Sequence, residues 1–315
     1  MDEFEIIRRY FRRDDAADGV VTGIGDDGAA LHPEPGRDLI AVVDTMVADV
    51  HFPDRLSAAD IGYRAVAVNL SDIAAMGGRP RWMTLALTLD VAEPHWLAAF
   101  AEGLFAAGDE YGVALVGGDT THGAEKVVSI QILGDIEPGR ALLRSGAKPG
   151  DGIYVSGSTG DAAAGLSLLQ SNAPRSAAGD YLLRRFTRPT ARVALGQALV
   201  CHANAAIDIS DGLYTDLEKL LDASHVAGVI EFDDIPLSAE LAGLMARQDA
   251  LRFALGGGDD YELCFTASGD EFGDHAEVAG NRVTRIGRVT GGAGLTCMLG
   301  GAPYAYRDAG YRHFS

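Results

Sequence analysis

Aspartates recur along this chain in turns rich in glycine or hydroxyl residues, at the points where apolar runs of strand length end. The turns are Val42-Val43-Asp44-Thr45, Gly117-Gly118-Asp119-Thr120, Ile207-Asp208-Ile209-Ser210-Asp211-Gly212 and Gly258-Asp259-Asp260-Tyr261-Glu262. Mg²⁺ prefers oxygen ligands, and glycine lets a backbone approach a phosphate closely. Each motif alone is compatible with an ordinary turn. The whole set favours phosphate chemistry on carboxylate-bound Mg²⁺.

The segment Gly23-Ile24-Gly25-Asp26-Asp27-Gly28 matches the G-x-G-x-x-G pattern of dinucleotide-binding folds. Two aspartates would stand where a pyrophosphate has to meet helix N–H groups, and Pro33 and Pro35 interrupt the helix that must follow. We therefore interpret this loop as metal-binding. The sequence also lacks a P-loop and contains only three lysines, Lys126, Lys148 and Lys219. Phosphate chemistry here has to rely on Mg²⁺ and arginine.

Asp72 stands in a helical stretch of otherwise small and apolar residues that ends at Gly77-Gly78. Asn69 and Asp72 are three residues apart and share a helix face. A carboxylate in such surroundings needs a cation or hydrogen-bond donors. A solvated face would bring Lys or Glu neighbours, which this stretch lacks, so metal binding is the favoured interpretation.

The elements that position these residues follow from apolar periodicity. Strands are predicted at 39–43, 83–89, 113–116, 127–133, 153–155, 205–209, 228–232, 262–266 and 283–289. Helices are predicted at 4–13, 58–76, 94–109, 160–171, 189–202 and 211–223. Asp60 is a candidate cap of the second helix, and Pro94 suits the first turn of the third.

The chain has 315 residues, enough for two domains. Turn residues at 137–140 and 148–151 place the junction near residue 140. We expect an N-terminal domain over 1–139 and a C-terminal domain over 140–315. The fold class is α+β, with an N-terminal mixed β-sheet flanked by helices and a C-terminal α/β sandwich, a description that rests partly on the resemblance given below.

Charge and cysteine content exclude several classes of protein. The formal net charge of −19 opposes binding to nucleic acid and to anionic membranes. Cys201, Cys264 and Cys297 are far apart and contain no C-x-x-C pair, which argues against a disulfide scaffold and fits a reducing cytoplasm. No apolar stretch approaches the roughly 20 residues that span a bilayer, and the acidic N-terminus is unlike a secretory signal.

Taken together and in this order, the motifs resemble the thiamine-monophosphate kinase family, in the superfamily of aminoimidazole ribonucleotide synthetase and selenophosphate synthetase. The resemblance covers nearly the whole chain. Its most specific segments are Asn69-Leu70-Ser71-Asp72-Ile73-Ala74-Ala75-Met76-Gly77 and Asp260-Tyr261-Glu262-Leu263. The implied reaction is ATP-dependent phosphorylation of thiamine monophosphate to thiamine diphosphate, by a homodimer that associates through its N-terminal domains. The apolar strands 83–89 and 127–133 are candidates for the surface that a partner covers.

The resemblance also implies the site residues. Magnesium ligands fall on Asp27, Asp44, Asp72, Asp119, Asp208 and Asp211. Contacts to ATP fall on Tyr111, Gly118, Asp119, Arg144 and Ser210, and contacts to thiamine monophosphate on His51, Glu262 and Tyr311. The sequence departs from the family pattern at Val43, which replaces the hydroxyl residue often found before the metal-binding aspartate. A backbone carbonyl or a water molecule has to provide the missing oxygen ligand there.

No catalytic general base is expected, because a phosphate monoester already carries roughly −1.5 to −2 charge at neutral pH. The obstacle is repulsion between two polyanions, which several Mg²⁺ ions offset while they fix an in-line transfer. Two alternatives stay open: another ATP-dependent synthetase of the superfamily, of the purine-pathway type, and a non-catalytic acidic cation-binding protein. Dispersed acidic residues without EF-hand spacing disfavour the latter.

Overall fold

A computed structural model describes residues 1–13, 17–171, 174–269 and 271–306. The chain divides into two compact units. The first contains residues 1–73 and 78–139, and the second contains residues 74–77 and 140–315. No helix in the described ranges is both long enough and apolar enough to cross a membrane.

The first unit begins with a short helix whose hydrogen bonding changes after one turn. The elements of this unit are α1 (Glu3–Ile6), a π-helical turn (Ile7–Phe11), β1 (Val20–Thr22), β2 (Ala30–Leu31), β3 (Asp38–Val47), α2 (Ala58–Ala75), β4 (Arg79–Leu89), α3 (Pro94–Tyr111), β5 (Ala114–His122) and β6 (Val127–Ile136). The amide of Arg12 bonds to the carbonyl of Ile7, which is the wide spacing of a π-turn. The expected helix 4–13 is therefore an α-turn followed by a π-turn.

The main sheet of this unit has the strand order β3-β6-β4-β5. β4 and β5 are parallel and α3 connects them, whereas the other two pairs are antiparallel. Alternate residues of the two central strands are buried in the single chain, which leaves their apolar side chains covered. These residues are Met83, Leu85, Leu87, Leu89, Val128, Ile130 and Ile132. The exposed apolar residues of the sheet lie instead on the edge strand β3, at Leu39 and Val43.

A β-bulge interrupts β5 next to β4. Leu115 pairs with Met83 and Gly117 pairs with Thr84, so Val116 is an extra residue on the β5 side. Beyond it, Asp119 pairs with the exposed Ala86 and is itself exposed. The strand therefore carries Asp119 on the face opposite to the buried leucines of β4.

The two long helices of the first unit, α2 and α3, follow residues that satisfy their free N–H groups. Ser57 precedes α2, and its hydroxyl accepts a hydrogen bond from the amide of Asp60 and donates one to the Asp60 carboxylate, at 3.1 and 2.7 Å. Asp60 therefore lies within the first turn, and its assignment as the cap is wrong. Pro94 does occupy the first turn of α3, where Glu93 accepts hydrogen bonds from two backbone amides.

A buried carboxylate, Asp135 of β6, joins this strand to β4 and to the residue that precedes β3. It accepts hydrogen bonds from Arg37, Arg79 and Arg81 at 2.6 to 2.9 Å, and only 1% of its side chain is exposed. Burial raises the pKa of Asp135, but the hydrogen bonds from Arg79 and Arg37 lower it more, and the net shift is downward. Its contribution to stability is therefore present above the ordinary pKa of aspartate and is lost as the pH falls through the lowered value.

The substitution Asp135→Asn is expected to lower the free energy of unfolding by about 3 kcal/mol at neutral pH, because three guanidinium groups lose their shared charge partner. Urea denaturation measures this change. Asp38→Asn, at the exposed start of β3, is the matched control and should unfold like the unchanged protein. Equal stability of the two variants would contradict the role given to Asp135.

The second unit contains a large sheet and six helices within its described residues. Its strands are β7 (Gly152–Ser156), β8 (Ala203–Asp208), β9 (Ala227–Glu231), β10 (Leu263–Ala267), β11 (His275–Val278), β12 (Asn281–Thr290), β13 (Gly294–Leu299) and β14 (Ala302–Tyr304). Its helices are α4 (Asp161–Ser171), α5 (Ala177–Thr187), α6 (Val193–Leu199), α7 (Leu213–Ala223), α8 (Ala239–Leu244) and α9 (Arg247–Gly256), with a 3₁₀ turn at Phe232–Asp234.

The strand order is β14-β13-β9-β12-β7-β10-β8, and β11 pairs with β12. Only β13 and β9 are parallel among these pairs in the described residues. The apolar face of α7 packs into the main core through Leu213, Leu217, Leu220 and Leu221, together with Ile207 and Ile230 of the sheet.

All nine predicted strands overlap observed ones. The predicted helix 189–202 is shorter, because residues 188–192 are not helical and α6 begins only at Val193; Pro189 disfavours helical geometry at the residue before it. The predicted elements do not include α5, α8, α9, β1, β2, β11, β13 and β14.

Candidate functional site

A cavity of about 370 Å³ in the first unit brings several of the proposed site residues together. Asp26, Asp27 and Gly28 line one side, and Gly117, Gly118 and Asp119 of β5 line another. Phe4, Ile7 and Phe11 of the N-terminal segment add an apolar wall. The element after Gly28 is the short strand β2, which agrees with our rejection of a dinucleotide-binding turn. The cavity thus combines acidic oxygens, glycine backbone and an aromatic surface.

Gly118 is the position where β5 comes closest to its neighbour. Its φ is +151°, and a Cβ atom there would lie 1.8 Å from the carbonyl oxygen of Leu85. No side chain fits at that distance. Glycine at 118 is therefore required by the sheet itself, and it leaves backbone exposed at the cavity.

Asp44 of β3 and Asp72 of α2 are both half-buried, and Asn69 of α2 bonds to the backbone of β3. The fully buried Asn69 accepts a hydrogen bond from the amide of Asp44 at 2.9 Å and donates one to the carbonyl of Ala65. Asn69 thus fixes the backbone of β3, and Asp72 lies one turn later on the same face of α2.

His51 and Tyr111 occupy partly exposed positions in the first unit. The Nδ1 atom of His51 accepts a hydrogen bond from the amide of Val47 at 3.0 Å, so neutral His51 carries its proton on Nε2. The histidine therefore closes the turn after β3 while its other nitrogen remains a donor. Tyr111 is the last residue of α3.

In the second unit, the turn between β8 and α7 carries Asp208, Ser210 and Asp211. Asp208 is buried at the end of β8, whereas Ser210 and Asp211 are partly exposed. Gly212, with φ +114°, leads into the helix. The carbonyl of Ser210 accepts a hydrogen bond from the amide of Asp259, which connects this turn to the Asp259–Glu262 segment.

Two residues that the sequence interpretation did not identify hold this turn. Asp216, in the first turns of α7, accepts hydrogen bonds from the amides of Ser210 and Asp211, each at 2.9 Å. Lys219 donates to both Asp211 and Asp216, at 2.5 and 2.8 Å. Burial raises the pKa of Asp216, and it lowers that of Lys219, but the hydrogen bonds of Lys219 to the two carboxylates raise its pKa overall. The sequence feature that points to Asp216 and Lys219 is their spacing, which places both side chains on one face of the helix.

Glu262 is fully buried and saturated with hydrogen bonds. Its carboxylate accepts from Arg185, from two nitrogens of Arg192 and from the hydroxyl of Ser156. Next to it, burial raises the pKa of Asp260 well above its ordinary value, although the amides of Gly160 and Ala162 donate to it. In this structure Glu262 has practically no exposed oxygen to offer a ligand directly.

Arg144 is exposed, and its carbonyl accepts a hydrogen bond from the hydroxyl of Ser224 at 2.9 Å. The same hydroxyl accepts from the amides of Gly146 and Ala147, so the loop after residue 140 is held to the end of α7. Tyr311 lies outside the described residues.

Within the described residues, no three His, Cys, Asp or Glu side chains converge as a ready metal cage. Mg²⁺ usually takes one or two carboxylates and completes its shell with phosphate oxygens and water. The exposed carboxylates beside Gly118 and the turn at Ser210-Asp211 suit that mode of binding. The residues present therefore fit Mg²⁺ that arrives with a phosphate ligand.

Comparison with known proteins identifies the family. Residues 25–136 match the model of the AIR synthase related protein N-terminal domain, and residues 148–300 match that of its C-terminal domain. The chain is 45% identical to the thiamine-monophosphate kinase of Salmonella typhimurium strain LT2 over 99% of this chain and 98% of that one. The chain belongs to the thiamine-monophosphate kinase family.

Solved structures agree with this family assignment. The crystal structure of thiamine-monophosphate kinase from Stenotrophomonas maltophilia K279a is 42% identical, with a TM-score of 0.84 and 96% of each chain covered. AaThiL complexed with AMPPCP and TMP is 32% identical, with a TM-score of 0.81 and 92% of each chain covered. The mixed α+β fold is thus shared with family members.

Gly118→Ala is expected to destabilise the protein by on the order of 3 kcal/mol or more, because the new methyl group meets the Leu85 carbonyl and the two strands must separate. Thermal unfolding measures the effect. Gly36→Ala is the matched control: its φ is +78°, but no atom lies within 4 Å of the added Cβ. The control should cost about 1 kcal/mol. A similar loss in both variants would mean that backbone conformation, not close approach, requires the glycine.

Proposed function

We propose that this chain transfers the γ-phosphate of ATP to thiamine monophosphate and releases thiamine diphosphate. The observation that carries the proposal is the cavity formed by Asp27, Gly118 and Asp119, in a chain that is 45% identical to a thiamine-monophosphate kinase over 99% of its length. The similar AaThiL structure, which contains AMPPCP and TMP, supports the same two classes of ligand.

The acceptor needs no general base, because its phosphate is already an anionic nucleophile. The task of the protein is to bring two polyanions together and align them for in-line transfer. Bound Mg²⁺ would supply charge neutralisation of the phosphates. Near Gly118, where no side chain intervenes, backbone N–H groups would donate hydrogen bonds to phosphate oxygens.

The residues that would hold Mg²⁺ are Asp27, Asp44, Asp72, Asp119, Asp208 and Asp211. For ATP we propose contacts with Tyr111, Gly118, Asp119, Arg144 and Ser210. For the acceptor we propose contacts with His51 and Tyr311, whereas Glu262 would contribute by holding Arg185 and Arg192 in place. Residues 1–139 would bind ATP and Mg²⁺ and form the dimer, and residues 140–315 would complete phosphate and substrate recognition.

The free thiols Cys201, Cys264 and Cys297 support operation in the reducing cytoplasm.

The deciding experiment incubates the purified full chain with ATP, Mg²⁺ and thiamine monophosphate, and separates thiamine diphosphate by chromatography. Parallel reactions replace the acceptor with a purine-pathway intermediate or omit it. Diphosphate formation that depends on ATP and Mg²⁺ supports the proposal. Turnover of the purine intermediate alone, or Mg²⁺ binding without turnover, would instead favour one of the two alternatives.

Asp72→Asn is expected to reduce kcat/KM by about 100-fold, because the variant keeps the shape of the side chain but loses the charge that would face Mg²⁺. Steady-state rates across a Mg²⁺ titration measure this, with a thermal melt to show that folding is retained. Glu102→Gln, an equal loss of charge on the exposed face of α3, should leave the kinetics unchanged. If Asp72→Asn behaves like that control, Asp72 does not belong to the site.

We also propose a homodimer that forms through the first unit. The two strands first suggested by the sequence do not provide its surface, because their apolar residues are already buried in the single chain. We propose the edge strand β3 as the dimer surface instead, because 52% of Leu39 and 62% of Val43 are exposed. Exposed apolar residues on one strand suit coverage by a second copy.

Val43→Glu is accordingly expected to shift the protein from dimer to monomer, because a charge would be buried in an apolar contact. Sedimentation or light scattering at micromolar concentration measures the mass. Val91→Glu, at a valine that is 65% exposed in the loop before α3, should leave the mass unchanged. A wild-type protein that is monomeric and fully active would refute the dimer.

A further inference from the structure

The side chains around the turn that precedes α7 form a compact charged cluster of Asp211, Asp216 and Lys219. Asp216 is 1% exposed, so its carboxylate is removed from water. One oxygen, Oδ2, accepts both backbone amides of Ser210 and Asp211, and the other, Oδ1, accepts Lys219. All the bonds of this buried group therefore serve the turn and its lysine.

Lys219 bonds to only one of the two carboxylate oxygens of Asp211. Oδ2 accepts the ammonium of Lys219 at 2.5 Å, and about a third of the Asp211 side chain is exposed, 31% by area. A cation that binds Asp211 thus meets a carboxylate whose orientation is already fixed. It also meets a positive charge close by, which weakens the attraction for any second cation.

We propose that Asp216 and Lys219 are positioning residues for Asp211, and that Lys219 is a built-in cation of the turn that competes with Mg²⁺ for the Asp211 carboxylate. Asp216 fixes the backbone of Ser210 and Asp211. Lys219 holds one oxygen of Asp211 and keeps the Mg²⁺ affinity of the turn low. The inference rests on the proposed function at one point, the assignment of Asp211 as a Mg²⁺ ligand.

Lys219→Met removes the competing charge but keeps a side chain of similar length. Mg²⁺ should then bind at least about threefold more tightly, because a repulsive charge is gone and both oxygens of Asp211 become available. At the same time kcat should fall about tenfold, since Asp211 loses its fixed orientation. A purely structural lysine would lower stability without tightening Mg²⁺ binding.

The experiment titrates Mg²⁺ into the full chain with a non-hydrolysable ATP analogue, by calorimetry, and needs no turnover. Lys219→Arg should retain the wild-type affinity because the charge is kept, and Lys148→Met, at an exposed lysine, should change nothing. In an Asp211→Asn background, Lys219→Met should lose its effect on Mg²⁺ affinity, which a double-mutant cycle detects.

A Mg²⁺ affinity of Lys219→Met equal to or weaker than that of wild type would overturn the inference, and so would an undiminished effect in the Asp211→Asn background. Failure of the proposed function has a separate signature. In that case wild-type protein forms no thiamine diphosphate, while the calorimetric comparison still reports on Lys219.

Discussion

A carboxylate that leaves water has to find cations or hydrogen-bond donors, and both units of this acidic protein are organised around carboxylates that do so. Asp135 collects three arginines in the first unit. In the second unit, Glu262 accepts hydrogen bonds from two arginines and a serine, and Asp216 accepts them from two backbone amides and a lysine. Removing one partner of such a carboxylate lowers the free energy of unfolding by far more than the complete group adds to it.

This requirement separates two populations of acidic residues. Those with complete sets of donors are buried and hold strands and turns. Asp27 and Asp119 remain exposed at the cavity of the first unit, where solvent or a ligand can serve them. With 45 acidic and 26 basic residues, the chain has too few arginines and lysines to pair every carboxylate. The excess of carboxylates leaves the protein with a negative net charge, which attracts cations.

Much of the architecture could be predicted from the sequence, because apolar runs bounded by glycine and aspartate mark the strands clearly. The acidic turns were also visible, since their residue types are chemically distinctive. The supporting residues were not. Arg185 lies on α5, whose apolar stripe is interrupted by charged residues, and Asp216 and Lys219 look like an ordinary surface pair on a helix. Only the tertiary structure shows that these side chains turn back onto Glu262 and Asp211. Likewise, the motif around Glu262 indicated importance but not burial.

The extra residue in β5 has a consequence for how the chain can vary. Because side chains alternate along a strand, drawing Val116 into the ladder opposite Thr84 would move Asp119 from Ala86 to Leu87. A charge would then enter the apolar interior. The face that Asp119 occupies is thus set by the bulge as much as by the residue type: replacements at Val116 that stay outside the ladder keep the carboxylate on the outer face, whereas one that pairs with β4 reverses inside and outside for the rest of the strand.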